Sequence, residues 1–276
     1  MRSVTFPNGA KAPVLGQGTW RLGEDRRGRV PETTALRAGV ELGMTLIDTA
    51  EMYGDGDTES FLGEALAGLR DQVFLVSKAY PQNAGRGRIE KACEASLRRL
   101  KTDHLDLYLL HWRGSVSLAE TVEGMEALKA AGKIGAWGVS NLDLADMTEL
   151  AAAGGGECVV NQILYNVTER GPEFDLLPAL ADRGVVAMAY SPVDQGRLPS
   201  AGALGAVAGR HGVSPYQIAL AWALRDPNVV AIPKAASLDH IEENRRAADL
   251  ELTAMDLAEI DTAFPPPNRK TRLAML

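Results

Sequence analysis

Apolar positions along this chain fall into two alternating patterns. Runs such as Thr45-Leu46-Ile47, Val73-Phe74-Leu75-Val76-Ser77 and Leu105 to Leu110 are short and nearly continuous, as strands buried on both faces of a parallel sheet require. Between them lie segments with apolar residues at helical spacing. Strands are predicted at 14–18, 45–48, 73–77, 105–110, 135–139, 158–161, 185–189 and 229–232. Helices are predicted at 31–42, 58–68, 88–100, 118–131, 143–152, 174–182, 201–224 in two pieces, and 238–248. Eight strand-helix pairs is the count of a closed (β/α)8 TIM barrel, whereas a doubly wound open sheet has about five to seven strands. The expected fold class is α/β, a single barrel domain over residues 1–276.

The ends add detail. Val4-Thr5-Phe6, a turn at Pro7-Asn8-Gly9 and a return near Ala12 to Val14 predict an N-terminal β-hairpin that plugs one end of the barrel. After an extra helix at 254–263, Pro265-Pro266-Pro267-Asn268-Arg269-Lys270 excludes regular structure and predicts a tail or a lid. Gly43, Gly132 and Gly184 follow helical segments, where helix ends favour glycine. The run Ala151 to Gly156 has no following Lys-Ser/Thr and reads as a helix-to-strand turn, not a phosphate loop.

Composition narrows the function classes. The 276 residues suit one barrel, and 46% hydrophobic with 5% aromatic content gives a core of Val, Leu, Ile and Ala. A net charge of −7 argues against nucleic acid as the main partner. No stretch approaches the roughly 18 apolar residues of a membrane span, and Met1 to Ala10 lacks an apolar signal core. A cytoplasmic monomer is expected. Cys93 and Cys158 belong to no closely spaced ligand set and read as reduced, packed thiols.

In a barrel of this kind chemistry gathers at the C-terminal ends of the strands. Asp48, Lys78 and His111 lie at the ends of the second, third and fourth predicted strands, and Tyr53 lies five residues beyond Asp48. Free tyrosine is a poor acid at neutral pH, but a neighbouring lysine stabilises its phenolate and lowers its pKa. Asp48 would hold Lys78 charged and oriented, and His111 would donate to a substrate oxygen. The set can deliver a proton to a carbonyl without a metal. Each residue alone has a structural use: Asp48 capping a turn, Lys78 a solvated strand end, His111-Trp112 a packed aromatic pair. Their coincidence at three consecutive strand ends favours chemistry.

Gly16-Gln17-Gly18-Thr19-Trp20, Asp48-Thr49-Ala50 to Tyr53-Gly54, Ser77-Lys78, Leu110-His111-Trp112, Gly138-Val139-Ser140-Asn141, Asn161-Gln162, Ala189-Tyr190-Ser191-Pro192 and Ile232-Pro233-Lys234 together resemble the aldo-keto reductases, in family order over almost the whole chain. Within the family the resemblance is closest to small bacterial methylglyoxal reductases and 2,5-diketogluconate reductases. It implies a (β/α)8 barrel, NADPH with NADH tolerated, and hydride transfer to an aldehyde or ketone. It makes Tyr53 the general acid, tuned by Lys78 and Asp48, with His111 orienting the carbonyl.

The resemblance also supplies cofactor positions. Ser140, Asn141 and Gln162 match the partners of the nicotinamide carboxamide, and Tyr190 matches the ring that stacks on the nicotinamide, followed by Ser191, Pro192 and Val193. Gly18, Thr19, Trp20 and Asp48 complete the nicotinamide end. Lys234, Ala235, His240, Glu243 and Asn244 match the adenosine side. Ala235 and His240 depart from the family's usual serine or threonine and arginine, so NADPH preference is expected to be weaker than usual and, with a histidine there, to grow as pH falls. Ser237 is placed to cap the following helix. Asn141 has a second use as a cap for the helix from Leu142. Trp20 and Trp112, with Tyr53 and His111, would line a substrate site for compact carbonyls. Arg269, Lys270 and Arg272 form either a solvated basic tail or a carboxylate clamp.

Two other classes stay open on sequence alone. A metal-assisted barrel hydrolase needs clustered ligands, and His104, His111, His211 and His240 are scattered; no metal is expected. A non-catalytic nucleotide-binding module would keep the fold without the four-residue set.

Overall fold

In the computed structural model, which describes residues 1–199 and 201–276, the hairpin comes first. Strands β1 (Ser3–Thr5) and β2 (Lys11–Pro13) pair antiparallel, and Gly9 takes φ +85° in the turn. Phe6 stacks on Phe74, with ring centroids 5.4 Å apart. Phe74 begins a barrel strand, so the hairpin sits against the N-terminal end of the barrel, opposite the expected chemistry.

Eight parallel strands follow in chain order: β3 (Gln17–Gly18), β4 (Leu46–Asp48), β5 (Phe74–Ala79), β6 (Leu105–Leu110), β7 (Ile134–Ser140), β8 (Cys158–Leu164), β9 (Val186–Tyr190) and β10 (Val229–Ala231). The first and last strands meet through parallel bridges Leu15 to Ala231 and Gly18 to Lys234. Gly16 N donates to Ala231 O at 2.9 Å, Ala231 N to Val14 O at 2.9 Å, and Gly18 N to Pro233 O at 3.0 Å. The sheet thereby closes into a barrel. A Cβ on Gly18 would stand 2.7 Å from the Ile232 carbonyl oxygen, so the seam needs glycine for its close backbone approach.

Helices cover the outside: α1 (Arg29–Glu41), α2 (Asp57–Ala65), α3 (Arg88–Leu100), α4 (Leu118–Ala130), α5 (Leu144–Ala152), α6 (Leu176–Asp182), α7 (Ala203–His211), α8 (Pro215–Ala223), α9 (Leu238–Ala247) and α10 (Ala254–Ala263). Their starts follow local chemistry. Asp143, Ser214 and Thr253 each form a capping box with the third helical residue. Gly43, Gly132 and Gly184 all take positive φ after helices, as expected. Cys93 and Cys158 are free and buried.

The two-residue period of the strands decides which side chains reach the site. Leu46, Val76, Leu107, Leu109, Val160 and Met188 fill the barrel interior, while Ile47, Leu75, Tyr108, Leu110, Ile163 and Ala189 face the helices. Continuing each inward series toward the C-terminal end reaches Asp48, Lys78, His111, Gln162 and Tyr190. The polar candidates are the top layer of an otherwise apolar barrel core.

The tail is anchored. Arg170 donates to the Phe264 carbonyl and to Asp261 at 2.7 Å. Lys270 pairs with Asp175 at 3.2 Å, while Arg269, Lys270 and Arg272 are all exposed. Leu273 packs on the core, and the Leu276 amide donates to the Tyr190 hydroxyl at 3.3 Å. Residues 265–276 therefore run from the outer helices to the mouth of the barrel.

Candidate active site

Lys78 is the hub. It is fully buried, which excludes the solvated strand end considered from sequence, and an ammonium there must have all three donors satisfied. Its Nζ donates to Asp48 Oδ2 at 2.8 Å, to the Thr49 carbonyl at 2.8 Å and to Tyr53 Oη at 3.2 Å. Tyr53 reaches this point from a 3-10 turn, Tyr53–Gly56, in which Gly54 and Asp55 adopt left-handed conformations. His111 follows β6, its amide donating to the Ala79 carbonyl at 2.9 Å. Its ring lies edge-on to Tyr53, with centroids 6.0 Å apart. The four residues, from three consecutive strand ends and the loop after the first of them, thus form one cluster.

Electrostatics correct one expectation. Tyr53 was expected to be acidified by Lys78, but its pKa lies above the ordinary value near 10. Burial is the largest cause, the Lys78 charge opposes it, and the Asp48 carboxylate adds to it. The phenol is therefore firmly protonated at neutral pH, a store of one proton beside a cation that stabilises its loss. Lys78 itself is raised: burial lowers it, and the Asp48 and Tyr53 partners more than offset this. His111 is pushed down to about 2, by burial first and by the Lys78 charge second. It is a neutral imidazole throughout the working range, and its Nδ1 is buried without a partner among the described residues.

A second polar set adjoins the first. Gln162 Nε2 donates to Asp48 Oδ1 at 2.8 Å and to Met188 Sδ at 3.0 Å. Ser140 Oγ donates to the Gln162 carbonyl at 2.9 Å. Asn141, at φ +59°, donates through Nδ2 to the His111 carbonyl at 3.2 Å and to Ser140 Oγ at 3.1 Å, and its Oδ1 accepts from the Tyr190 hydroxyl at 3.0 Å. The alternative use of Asn141 as a helix cap is not realised, because Asp143 and Asp146 cap α5. Asn141, Ser191, Asp194 and Gln195 all adopt positive φ. Such strain persists where the surroundings over-determine it, commonly at ligand sites.

The remaining candidates divide. Thr19 Oγ1 donates to the Asp48 carbonyl at 2.8 Å, which ties Gly18-Thr19-Trp20 to the cluster. Trp112 packs on His111, centroids 4.8 Å apart, while Trp20 is 40% exposed with the Arg21 guanidinium 4.4 Å from its ring centre. Pro192 is buried, Val193 half-buried, and the Ser191 carbonyl accepts from Asn166. Lys234 and Ala235 continue from the barrel seam. Ser237 caps α9, accepting from the His240 amide at 3.4 Å, and His240 is exposed, with Glu243 and Asn244 half-buried on the same helix. This adenosine-side group makes no side-chain bond to the proton-donating cluster.

Three contributors went unread in the sequence. Tyr80 meets Trp112 edge-on at 5.9 Å; the signal was an aromatic residue two positions after Lys78. Glu51 accepts from the Tyr80 amide at 2.6 Å and from Asn83 at 2.9 Å, joining the two loops that carry Tyr53 and Tyr80. The Thr49 carbonyl has no sequence signal, because any residue supplies one. Among the described residues no three His, Cys, Asp or Glu side chains are grouped to hold a metal, and no helix is long and apolar enough to cross a membrane.

Residues 14–264 match the Aldo/keto reductase family. The chain belongs to that family. It is 51% identical to methylglyoxal reductase YeaE of Escherichia coli over 281 residues, covering 100% of this chain and 99% of that protein. It is 31% identical to glyoxal reductase of Bacillus subtilis, covering 94% and 91% of the two chains. An aldo-keto reductase of Klebsiella pneumoniae solved in complex with NADPH superposes with a TM-score of 0.96 at 50% identity, over 100% of both chains. The chain carries the fold expected of that family.

Proposed function

We propose that this protein is an NADPH-dependent carbonyl reductase for small aldehydes and α-dicarbonyls such as methylglyoxal. The observation that carries the reading is the single ammonium of Lys78 bonded to both the Tyr53 phenol and the Asp48 carboxylate. Ser140, Asn141 and Gln162 suit a carboxamide, and the Tyr190 ring, held at the mouth, suits stacking on a planar ring. The nicotinamide, when bound, supplies the hydride. Tyr53 donates its proton to the carbonyl oxygen, and Lys78 stabilises the phenolate left behind. His111, neutral, offers an N–H from Nε2 and fixes the same oxygen without competing as an acid. Trp112 and Tyr80 form an aromatic wall that favours compact substrates.

Titrating NADPH against tryptophan fluorescence tests binding. A panel of methylglyoxal, aromatic aldehydes, sugar aldehydes and ketoacids tests the substrate class. Small dicarbonyls or activated aromatic aldehydes are expected to lead in kcat/KM, and a clear preference for steroid-sized ketones would overturn the ranking. The cofactor preference has its own test. His240 lies in the first turn of α9, beside the Ser237 cap, where helix N–H groups favour an anion. His240→Arg places a permanent charge there and is expected to raise the NADPH to NADH ratio of kcat/KM about tenfold, as one charge-assisted phosphate contact would. An unchanged ratio would remove His240 from the phosphate site.

A further inference from the structure

We propose that Gln162 is a positioning residue for the proton donor: its amide holds Asp48 from across the barrel, and through Asp48 it sets how much charge Lys78 presents to Tyr53. The inference rests on Tyr53 being the donor and gives Gln162 a task beyond contact with a carboxamide. Asp48 ends β4 and Gln162 lies on β8, with three strands between them in the sheet. The bond therefore spans the barrel interior. Both partners are 2% exposed, so no water replaces a lost donor cheaply. The amide is oriented without ambiguity, since a carboxylate only accepts and Nε2 must face it.

The two carboxylate oxygens divide their partners. Oδ2 takes Lys78 and Oδ1 takes Gln162, each at 2.8 Å. A donor on Oδ1 draws negative charge away from the ion pair, which leaves more of the Lys78 charge for the phenol. Gln162 is itself held rigidly: its backbone carbonyl accepts from Ser140 Oγ at 2.9 Å and from the Asn141 amide at 2.8 Å, and its second amide hydrogen faces Met188 Sδ. Its Oε1 accepts no bond among the described residues, so it stays free for another donor while Nε2 is engaged. The groups that act on Tyr53 are Lys78 from β5, Asp48 from β4, the edge-on neutral His111 after β6, and Tyr190 from β9. Of these, Asp48 is the one hydrogen-bonded to the Gln162 side chain.

The test is the ionisation of Tyr53, followed by NMR of 13Cζ-labelled tyrosine and assigned by its absence in Tyr53→Phe. Gln162→Met removes the donor while keeping the volume. The Tyr53 midpoint is expected to rise by about half a pH unit or more, the effect of weakening one charge-assisted contact at one remove. The alkaline limb of kcat at saturating NADPH should move the same way. If Gln162→Met does not fold, Gln162→Leu also removes the donor without adding a charge and should raise the midpoint to a similar extent. In an Asp48→Asn background neither change should move Tyr53. An unmoved midpoint in folded Gln162→Met, with only NADPH affinity altered, would make Gln162 a simple cofactor contact and overturn the proposal; so would a shift that persists without the Asp48 carboxylate. Because the titration needs no substrate, it decides the role of Gln162 even if the protein reduces no carbonyl, a result that would instead sink the proposed function.

Discussion

Tyr53→Phe is expected to lower kcat for carbonyl reduction by about a thousandfold, within the range for loss of a positioned general acid, while NADPH affinity stays within about twofold. The phenol oxygen bonds Lys78 alone among the described side chains, so its removal leaves the Asp48 and Thr49 contacts of the lysine in place. The parent should also show a pH signature. Since the Tyr53 pKa lies above its ordinary value, the proton-carrying form persists through neutral pH and is lost only on the alkaline side, so kcat should be flat from about pH 6 to 9 and fall at higher pH. No acid limb from His111 is expected, because that imidazole is neutral down to about 2. Stopped-flow reduction assays and fluorescence titration check both parts. Substantial turnover in Tyr53→Phe would assign the proton to another group.

Lys78→Met is expected to have two effects of different origin. Activity should fall by about a hundredfold or more, since the phenolate loses its stabilising cation. Stability should fall as well, by about 3 kcal/mol, because a buried carboxylate loses its counter-ion; Asp48 would keep only the Gln162 amide. Urea midpoints and kcat measured on one preparation separate the two. A full-rate enzyme with an unchanged pH profile would remove Lys78 from the proton transfer. The pairing also explains why burial does not discharge the lysine. Its raised pKa means that the pair's contribution to stability is present below the ordinary lysine value and is lost only at strongly alkaline pH.

Much of this architecture was legible in the chain because periodicity and position carry it. The eight strands fall where the apolar runs place them, and alternation along each strand puts Asp48, Lys78 and His111 on the inner face. The first strand is the exception. It was expected over 14–18, but its regular ladder is Gln17–Gly18, since Leu15 and Gly16 turn to the closing strand instead. What sequence could not show depends on distance and burial. The Gln162 to Asp48 bond joins residues far apart in the chain, and nothing local marks it. The direction of the Tyr53 shift escapes the sequence because proximity to Lys78 is legible there, whereas the larger cost of burial is not. For the start of α5, Asp143 and Asp146, three apart, carry a stronger capping signal than Asn141.

The seam between β3 and β10 also says something about the order in which this molecule becomes competent. It joins segments far apart in the chain through a few backbone bonds, a contact with a high closure cost. During synthesis Asp48, Tyr53, Lys78 and His111 emerge early, on strands that can pair as they appear. The barrel cannot shut until residues 229–234 arrive to meet residues 14–18. A nascent chain would therefore hold a nearly complete proton-donating cluster on an open, edge-exposed sheet. The two strand edges that would pair with other chains are hidden only by pairing with each other, so the final strand acts as a completion check on both solubility and chemistry.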